Sequence, residues 1–172
     1  MSRGTISIDG EDYDCSHLDP IVVHLAPHGD ENRGYRVLVS FGHHTFTRSF
    51  DEETDPPEFA HEEEGEVRCF CQDRYLASKA LPQLIRFHAA GKAFFAQKGN
   101  FMLLEQPLGG APYAVFFSVA PAKSVSGADA LMFIKSAYEK PNLPAKSRIP
   151  SISFKTLVHK IITGQPIIRP KK

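Results

Sequence analysis

The sequence predicts an α+β fold: antiparallel sheet with a central helical segment and a C-terminal amphipathic helix. Three observations carry that expectation. Apolar, β-branched runs of strand length recur between turn compositions. Residues 73–90 place apolar side chains mostly at helical spacing. After Ser153, the residues Phe154, Leu157, Val158, Ile161 and Ile162 fall at i, i+3, i+4, i+7 and i+8.

Taken in order, residues 19–26 and 35–41 read as strands separated by Pro27-His28-Gly29-Asp30 and Asn32-Arg33-Gly34, both turn compositions. Residues 44–50 alternate His, Phe and Thr after Gly42 and read as a third strand, so the three are expected to form an antiparallel meander. Residues 51–66, with Pro56-Pro57 and the run Glu62-Glu63-Glu64, hold too little apolar surface to bury themselves and are expected to be an exposed acidic loop. A short strand is expected at 67–71. The helical segment that follows has Asp73 as its N-cap and Gly91 as its stop. Pro82 kinks or divides it, because proline removes a backbone donor and crowds the preceding turn.

Four strand-like runs come next, at 93–97, 100–106, 113–119 and 130–137. Lys98-Gly99 joins the first two, and 107–112, with Gly109-Gly110, joins the second to the third. The last helix ends at Gly164 and Pro166; its polar face carries Lys155, His159 and Lys160, and a basic tail at 165–172 adds Arg169, Lys171 and Lys172.

At 172 residues with 42% hydrophobic content, the chain is expected to be one domain, 1–172. Apolar stretches such as 113–122 fall short of a membrane span, and Met-Ser-Arg-Gly-Thr is no apolar signal core, so a soluble, cytoplasmic protein with no membrane partner is expected. The three cysteines are expected to be reduced thiols, since Cys69 and Cys71 sit two apart in a strand, where disulfide geometry is seldom met.

A formal net charge of zero hides a sharp division. Residues 1–66 hold 16 acids and 4 bases, a net of −12, and residues 67–172 hold 4 acids and 16 bases, a net of +12. The extremes are residues 51–66, with nine acids and no Lys or Arg, and residues 135–172, with nine bases against Glu139 alone. Such asymmetry bears on partners: a phosphate backbone suits the basic half, and a basic partner surface suits the acidic one. The alternative is that the two halves neutralise each other within the fold.

Gly-rich phosphate loops, Gly-x-Ser-x-Gly elbows and carboxylate pairs set inside apolar runs are missing from the sequence, which lowers the weight of common hydrolase and nucleotide-binding classes. Among eight histidines, His43-His44 with Cys69 and Cys71 is the one cluster with metal-ligand chemistry. It lacks Cys-x-x-Cys or His-x-x-x-His spacing, so neither a metal nor a cofactor is expected. Strand alternation would set His44, Phe46 and Arg48 on one face. Arg74 and Ser78, at i and i+4, are aligned to meet one ligand or each other. Tyr138 closes the last strand of the four and feeds a loop carrying Lys140, Lys146 and Arg148, a placement that suits a phosphate site.

Two resemblances rest on these patterns. The helical segment followed by four consecutive antiparallel strands resembles the core shared by barnase, colicin-type ribonucleases and RelE-type toxins. That core implies metal-independent endoribonuclease chemistry, with a base for the ribose 2′-hydroxyl, an acid for the leaving oxygen and cations around the phosphorane. The patterns His44-Thr45-Phe46-Thr47-Arg48, Arg74-Tyr75 with Ser78, Leu81-Pro82, and Ser136-Ala137-Tyr138 are similar to small bacterial growth-adaptation proteins, which implies a bacterial, growth-regulating role.

The leading expectation is therefore a toxin-like or growth-regulating protein that binds RNA through its basic C-terminal region. His44 or His159 would be the acid/base, Tyr138 a positioning or proton-transfer group, and Arg48, Arg74, Lys146, Arg148, Lys155 and Lys160 phosphate-binding cations. The rival is a non-enzymatic adaptor with a protein inhibitor or effector as partner. Gln83-Leu84-Ile85-Arg86-Phe87 is similar to the Gln-Leu-x-Leu-Phe peptide that docks on the bacterial replication sliding clamp, departing from it at Arg86, and Gln83, Leu84 and Phe87 would then carry the contact.

Overall fold

The computed structural model describes residues 2–29, 32–97, 100–105, 110–123 and 127–170. Asp30 of the first expected turn, the Lys98-Gly99 turn, Gly109 of the glycine turn and the tail residues Lys171 and Lys172 lie outside them. The elements in chain order are β1 (Thr5–Ile8), β2 (Glu11–Asp14), β3 (Ile21–Leu25), β4 (Tyr35–Phe41), β5 (Thr47–Ser49), β6 (Ala60–Glu63), β7 (Glu66–Phe70), α1 (Gln72–Ser78), α2 (Leu81–His88), β8 (Lys92–Phe95), β9 (Phe101–Glu105), β10 (Tyr113–Pro121), β11 (Ala130–Glu139), β12 (Ser151–Ser153) and α3 (Phe154–Ile162). The fold is α+β and dominated by sheet. Among the described residues no helix is long and apolar enough to cross a membrane.

Seven strands form the main sheet in the order β12-β8-β9-β10-β11-β4-β3. The four runs expected after the helical segment lie side by side and antiparallel, β8 through β11. β11 then pairs in parallel with β4, Ala130 opposite Val37 and Ile134 opposite Phe41. That pairing joins the early hairpin β3–β4 to the late meander.

Alternation decides what each strand buries. In β4, Tyr35, Val37, Val39 and Phe41 turn inward, and in β11 so do Ala130, Met132 and Ile134. A register shift at Phe116/Phe117 restores the pattern at Ala137. This face packs on α2 through Leu81 and Ile85 and on α3 through Phe154, Leu157 and Val158, with the Phe117 and Phe154 rings edge to face at 5.9 Å. Each fully buried Leu, Val or Phe contributes about 1.5–3 kcal/mol, which is why α3 forms where its propensity alone would leave it marginal. The opposite face, at β8, β9 and β10, carries a second cluster of Phe94, Met102, Leu104, Ala114 and Phe116, capped by Leu143 and Ile149.

The helical segment divides as Pro82 requires. α1 ends at Ser78, and α2 restarts with Pro82 in its first turn, where the missing N–H has no intrahelical partner to lose. Cys71, not Asp73, is the N-cap, and Asp73 sits in the first turn.

Three expectations need correction. Residues 44–50 are not one strand. His43–Thr45 is a 3-10 turn, held by Thr45 Oγ1 donating to Gly42 O and Thr47 Oγ1 donating to His43 O, both at 2.8 Å, and only Thr47–Ser49 extends. The expected meander is likewise absent, because β5 joins a separate three-stranded sheet, β5-β7-β6. The acidic segment is exposed along much of 51–59, but residues 60–63 form β6. The Glu64-Gly65 turn, with φ of 56° and 80°, folds β6 onto β7, just as Asp9-Gly10, at 50° and 75°, folds β1 onto β2.

Candidate nucleic-acid interface

The chain leaves β11 at Glu139 and crosses the second apolar cluster before returning as β12. Lys140 N donates to Pro112 O at 2.8 Å, Leu143 and Ile149 pack downward, and Phe95 N donates to Pro150 O at 2.9 Å. Lys146 is pinned from within, its Nζ donating to Leu104 O at 2.9 Å. Between this crossing segment and the ends of β8 to β11 lies a cavity of about 590 Å³.

Its chemistry is uniform in sign. Lys140, Arg148 and Arg169 line it with the amides of Gln97 and Asn100, and among the described residues no Asp or Glu does. Among the described residues these three cations form no ion pair. The aromatic wall is Phe116 and Tyr138, stacked at 5.4 Å and 26°. Lys140 Nζ lies 5.3 Å from the Phe116 ring centre, and the Arg74 guanidinium carbon lies 4.8 Å from that of Tyr138. Cations resting on π-faces keep the rings oriented while their own charges stay available to an anion.

Behind Tyr138 a second cavity of about 470 Å³ is lined by Arg74, Tyr113 and Glu139 among others. Burial pushes the Tyr113 hydroxyl up to about 12, and its oxygen has no hydrogen-bond partner among the described residues. Burial also lowers Arg74 from its ordinary value, while Arg74 Nη1 donates to Thr47 O at 2.6 Å.

Of the residues singled out in the sequence, Tyr138 and Arg148 therefore share one cavity, with Arg74 against the Tyr138 ring and Lys146 anchored beside it. The others lie elsewhere. His44 Nε2 is 2.9 Å from Glu66 Oε2, and this contact with that of Arg68 holds the Glu66 carboxyl down at about 2. Arg48 forms a two-pronged ion pair with Asp55, at 2.6 and 2.5 Å, and so faces an acid rather than a phosphate. His159 Nδ1 bonds Tyr35 Oη at 2.7 Å, and its ring stacks on His28 at 4.2 Å. Lys155 and Lys160 donate to Pro27 O and Pro166 O. Ser78 meets His17 and Tyr75 O instead of a ligand shared with Arg74. In the clamp-like pentapeptide, Leu84 packs on the core, Gln83 is exposed and Phe87 is 76% exposed, all within helix α2.

Two ion pairs between described residues join the acidic and basic halves, Glu66 with Arg68 and Arg33 with Asp129. Among the described residues the ion pairs of segment 51–66 go to Arg3, Arg48, Arg68 and histidines 43, 44 and 61, none to the C-terminal region.

Phe116, Gln97 and Asn100 were not legible as site residues. The run 113–119 is apolar on both faces, so period 2 cannot say which ring faces a ligand.

Comparison with known proteins adds family membership. The chain is 27% identical over 169 residues to Protein YjaZ of Escherichia coli (strain K12), covering 95% of this chain and 92% of that one. No solved structure matches, so the likeness to the ribonuclease core gains no support. The sequence model of the YjaZ family matches residues 5–162, and the chain belongs to that family.

Proposed function

We propose that this protein binds single-stranded RNA in the basic cavity between β8–β11 and the crossing segment 140–150. The observation that carries the reading is a cavity that, among the described residues, holds three cations outside any ion pair, a stacked aromatic pair and no carboxylate. Single strands are held by this combination, backbone phosphates on Lys and Arg and unstacked bases on aromatic faces. The amides of Gln97 and Asn100 offer donors and acceptors to a base edge or a 2′-hydroxyl. The cavity is also of the size that encloses one small ligand unit.

The reading is binding, not cleavage. General acid–base catalysis needs its proton carriers within hydrogen-bond reach of the reacting oxygens. His44 and His159 are bonded to Glu66 and Tyr35, and neither lines this cavity. Fluorescence anisotropy of a labelled single-stranded RNA at low salt tests the proposal. The parent protein is expected to bind, and Tyr138→Ala to lose about 1–3 kcal/mol, the usual worth of one stacked base. RNA that stays unbound, or a Tyr138→Ala protein that binds as well as the parent while folded, removes the proposal. RNA cut in EDTA would instead revive the nuclease expectation.

A further inference from the structure

The 3-10 turn His43–Thr45 does something a strand cannot. Neighbouring side chains on a strand oppose each other, whereas in a 3-10 turn they stand about 120° apart. The His43 and His44 rings accordingly sit 4.7 Å apart, at 74°. Glu66 reaches the same point from the first residue of β7. Its Oε1 accepts from Arg68 Nη1 at 2.7 Å, and Arg68 is itself buried and fixed by Nε donating to Thr47 Oγ1 at 2.9 Å. That grip leaves Oε2 facing the imidazoles.

We propose that His43, His44 and Glu66 form a binding site for a divalent transition-metal ion of zinc-like ligand preference. Their three donor atoms lie within 4.8 Å of one another. Glu66 Oε2 is 2.9 Å from His44 Nε2 and 3.5 Å from His43 Nε2. Metal bonds of about 2.0–2.1 Å in tetrahedral array put neighbouring ligand atoms about 3.3 Å apart, a spacing that both Glu66–histidine distances bracket. The second observation is the state of His43. It is 6% exposed, and its Nε2, aimed into the trio, has no hydrogen-bond partner among the described residues; 3.5 Å to Glu66 is too long. A buried imidazole nitrogen left unpaired is costly, and a metal ion would satisfy it.

Glu63 lies behind His43, its Oε1 3.8 Å from Nδ1, beyond hydrogen-bond reach. Arg3 and Arg68 balance the charges of Glu63 and Glu66. The site is thus near neutral and rests on imidazole nitrogen, which favours zinc, cobalt, nickel or copper over magnesium or calcium. His44 and Glu66, with side chains 34% and 48% exposed, leave the outer coordination position open to water or a further ligand. Cys69 takes no part; its thiol is turned to Phe70 O.

The test is calorimetric titration of the EDTA-stripped full chain with zinc, paralleled by the visible absorption of cobalt. One ion per chain is expected, with the intense cobalt bands of four-coordination and no response to magnesium or calcium. His43→Ala, His44→Gln and Glu66→Gln should each weaken zinc at least about 10-fold. His44 is partly exposed, so His44→Gln is read in a folded chain, checked by circular dichroism. A zinc site that survives His44→Gln, or one lost in His159→Ala through the stacked His28–His159 pair, overturns the proposal. So does the absence of binding at millimolar zinc.

Discussion

If three cations meet the phosphates of a single strand, the salt dependence of binding is fixed in advance. Each neutralised phosphate of a single strand contributes about −0.7 to the slope of log K against log salt, so Lys140, Arg148 and Arg169 together give about −2.1. Raising salt from about 50 to 200 mM should then weaken binding about 18-fold. Arg148→Ala removes one contact, and the slope should flatten to about −1.4, roughly a sevenfold loss over the same range. Arg148→Lys keeps the charge and should keep most of the slope. Lys155→Ala is the control, because Lys155 lies outside the cavity with its Nζ on Pro27 O. Anisotropy titrations at four salt concentrations read all of these directly. An unchanged slope in Arg148→Ala, or a flattened one in Lys155→Ala, would refute the assignment of phosphate contacts to the cavity.

Other consequences can be checked on the protein alone. Leu157→Ala empties a fully buried position under the sheet and should cost about 2–5 kcal/mol in urea unfolding, whereas Phe87→Ala, at 76% exposed, should change stability by less than about 0.5 kcal/mol. Gly10→Ala and Gly34→Ala should differ in kind. Gly10 has open space and only its φ of +75° to strain, about 1–2 kcal/mol, while a Cβ on Gly34 would lie 1.9 Å from Leu25 O and should disrupt the β3–β4 hairpin outright. Asp55, held down at about 2 by Arg48 and the Asp51 amide, is depressed below the ordinary value of 3.8. Its contribution is therefore complete above pH about 4 and lost as pH falls toward 2, and an Asp55→Asn chain should show a shallower fall in melting temperature across that window.

The sequence announced some of this and hid the rest for identifiable reasons. α3 was legible to the residue because its apolar stripe is unbroken and Gly164 ends it, and Pro82 divided the helical segment by a purely local effect. The four late strands were legible because each is bounded by turn residues. The parallel pairing of β11 with β4 was not, since nothing local in either strand specifies a partner so distant in the chain. The turn at His43–Thr45 was misread because His-Thr-Phe-Thr-Arg alternates in pattern, while the hydroxyls of Thr45 and Thr47 bend the backbone instead. The hairpins at Asp9-Gly10 and Glu64-Gly65 carried a readable signal, outweighed by the acidity around them. The strand end at Tyr138 and the basic loop after it lie at the cavity, whereas charge alone gives no sign that Arg48, Lys155 and Lys160 meet Asp55, Pro27 O and Pro166 O, partners that only the tertiary fold supplies.

Photo-cross-linking shows whether RNA sits on the Phe116–Tyr138 wall. The full chain is irradiated with a 4-thiouridine-bearing single-stranded RNA, digested, and the adducts located by mass spectrometry. Adducts are expected on peptides containing Phe116 or Tyr138, and excess unlabelled RNA should remove them. Adducts confined to α3 or to the β5-β7-β6 sheet, or none that competitor RNA removes, would contradict this placement.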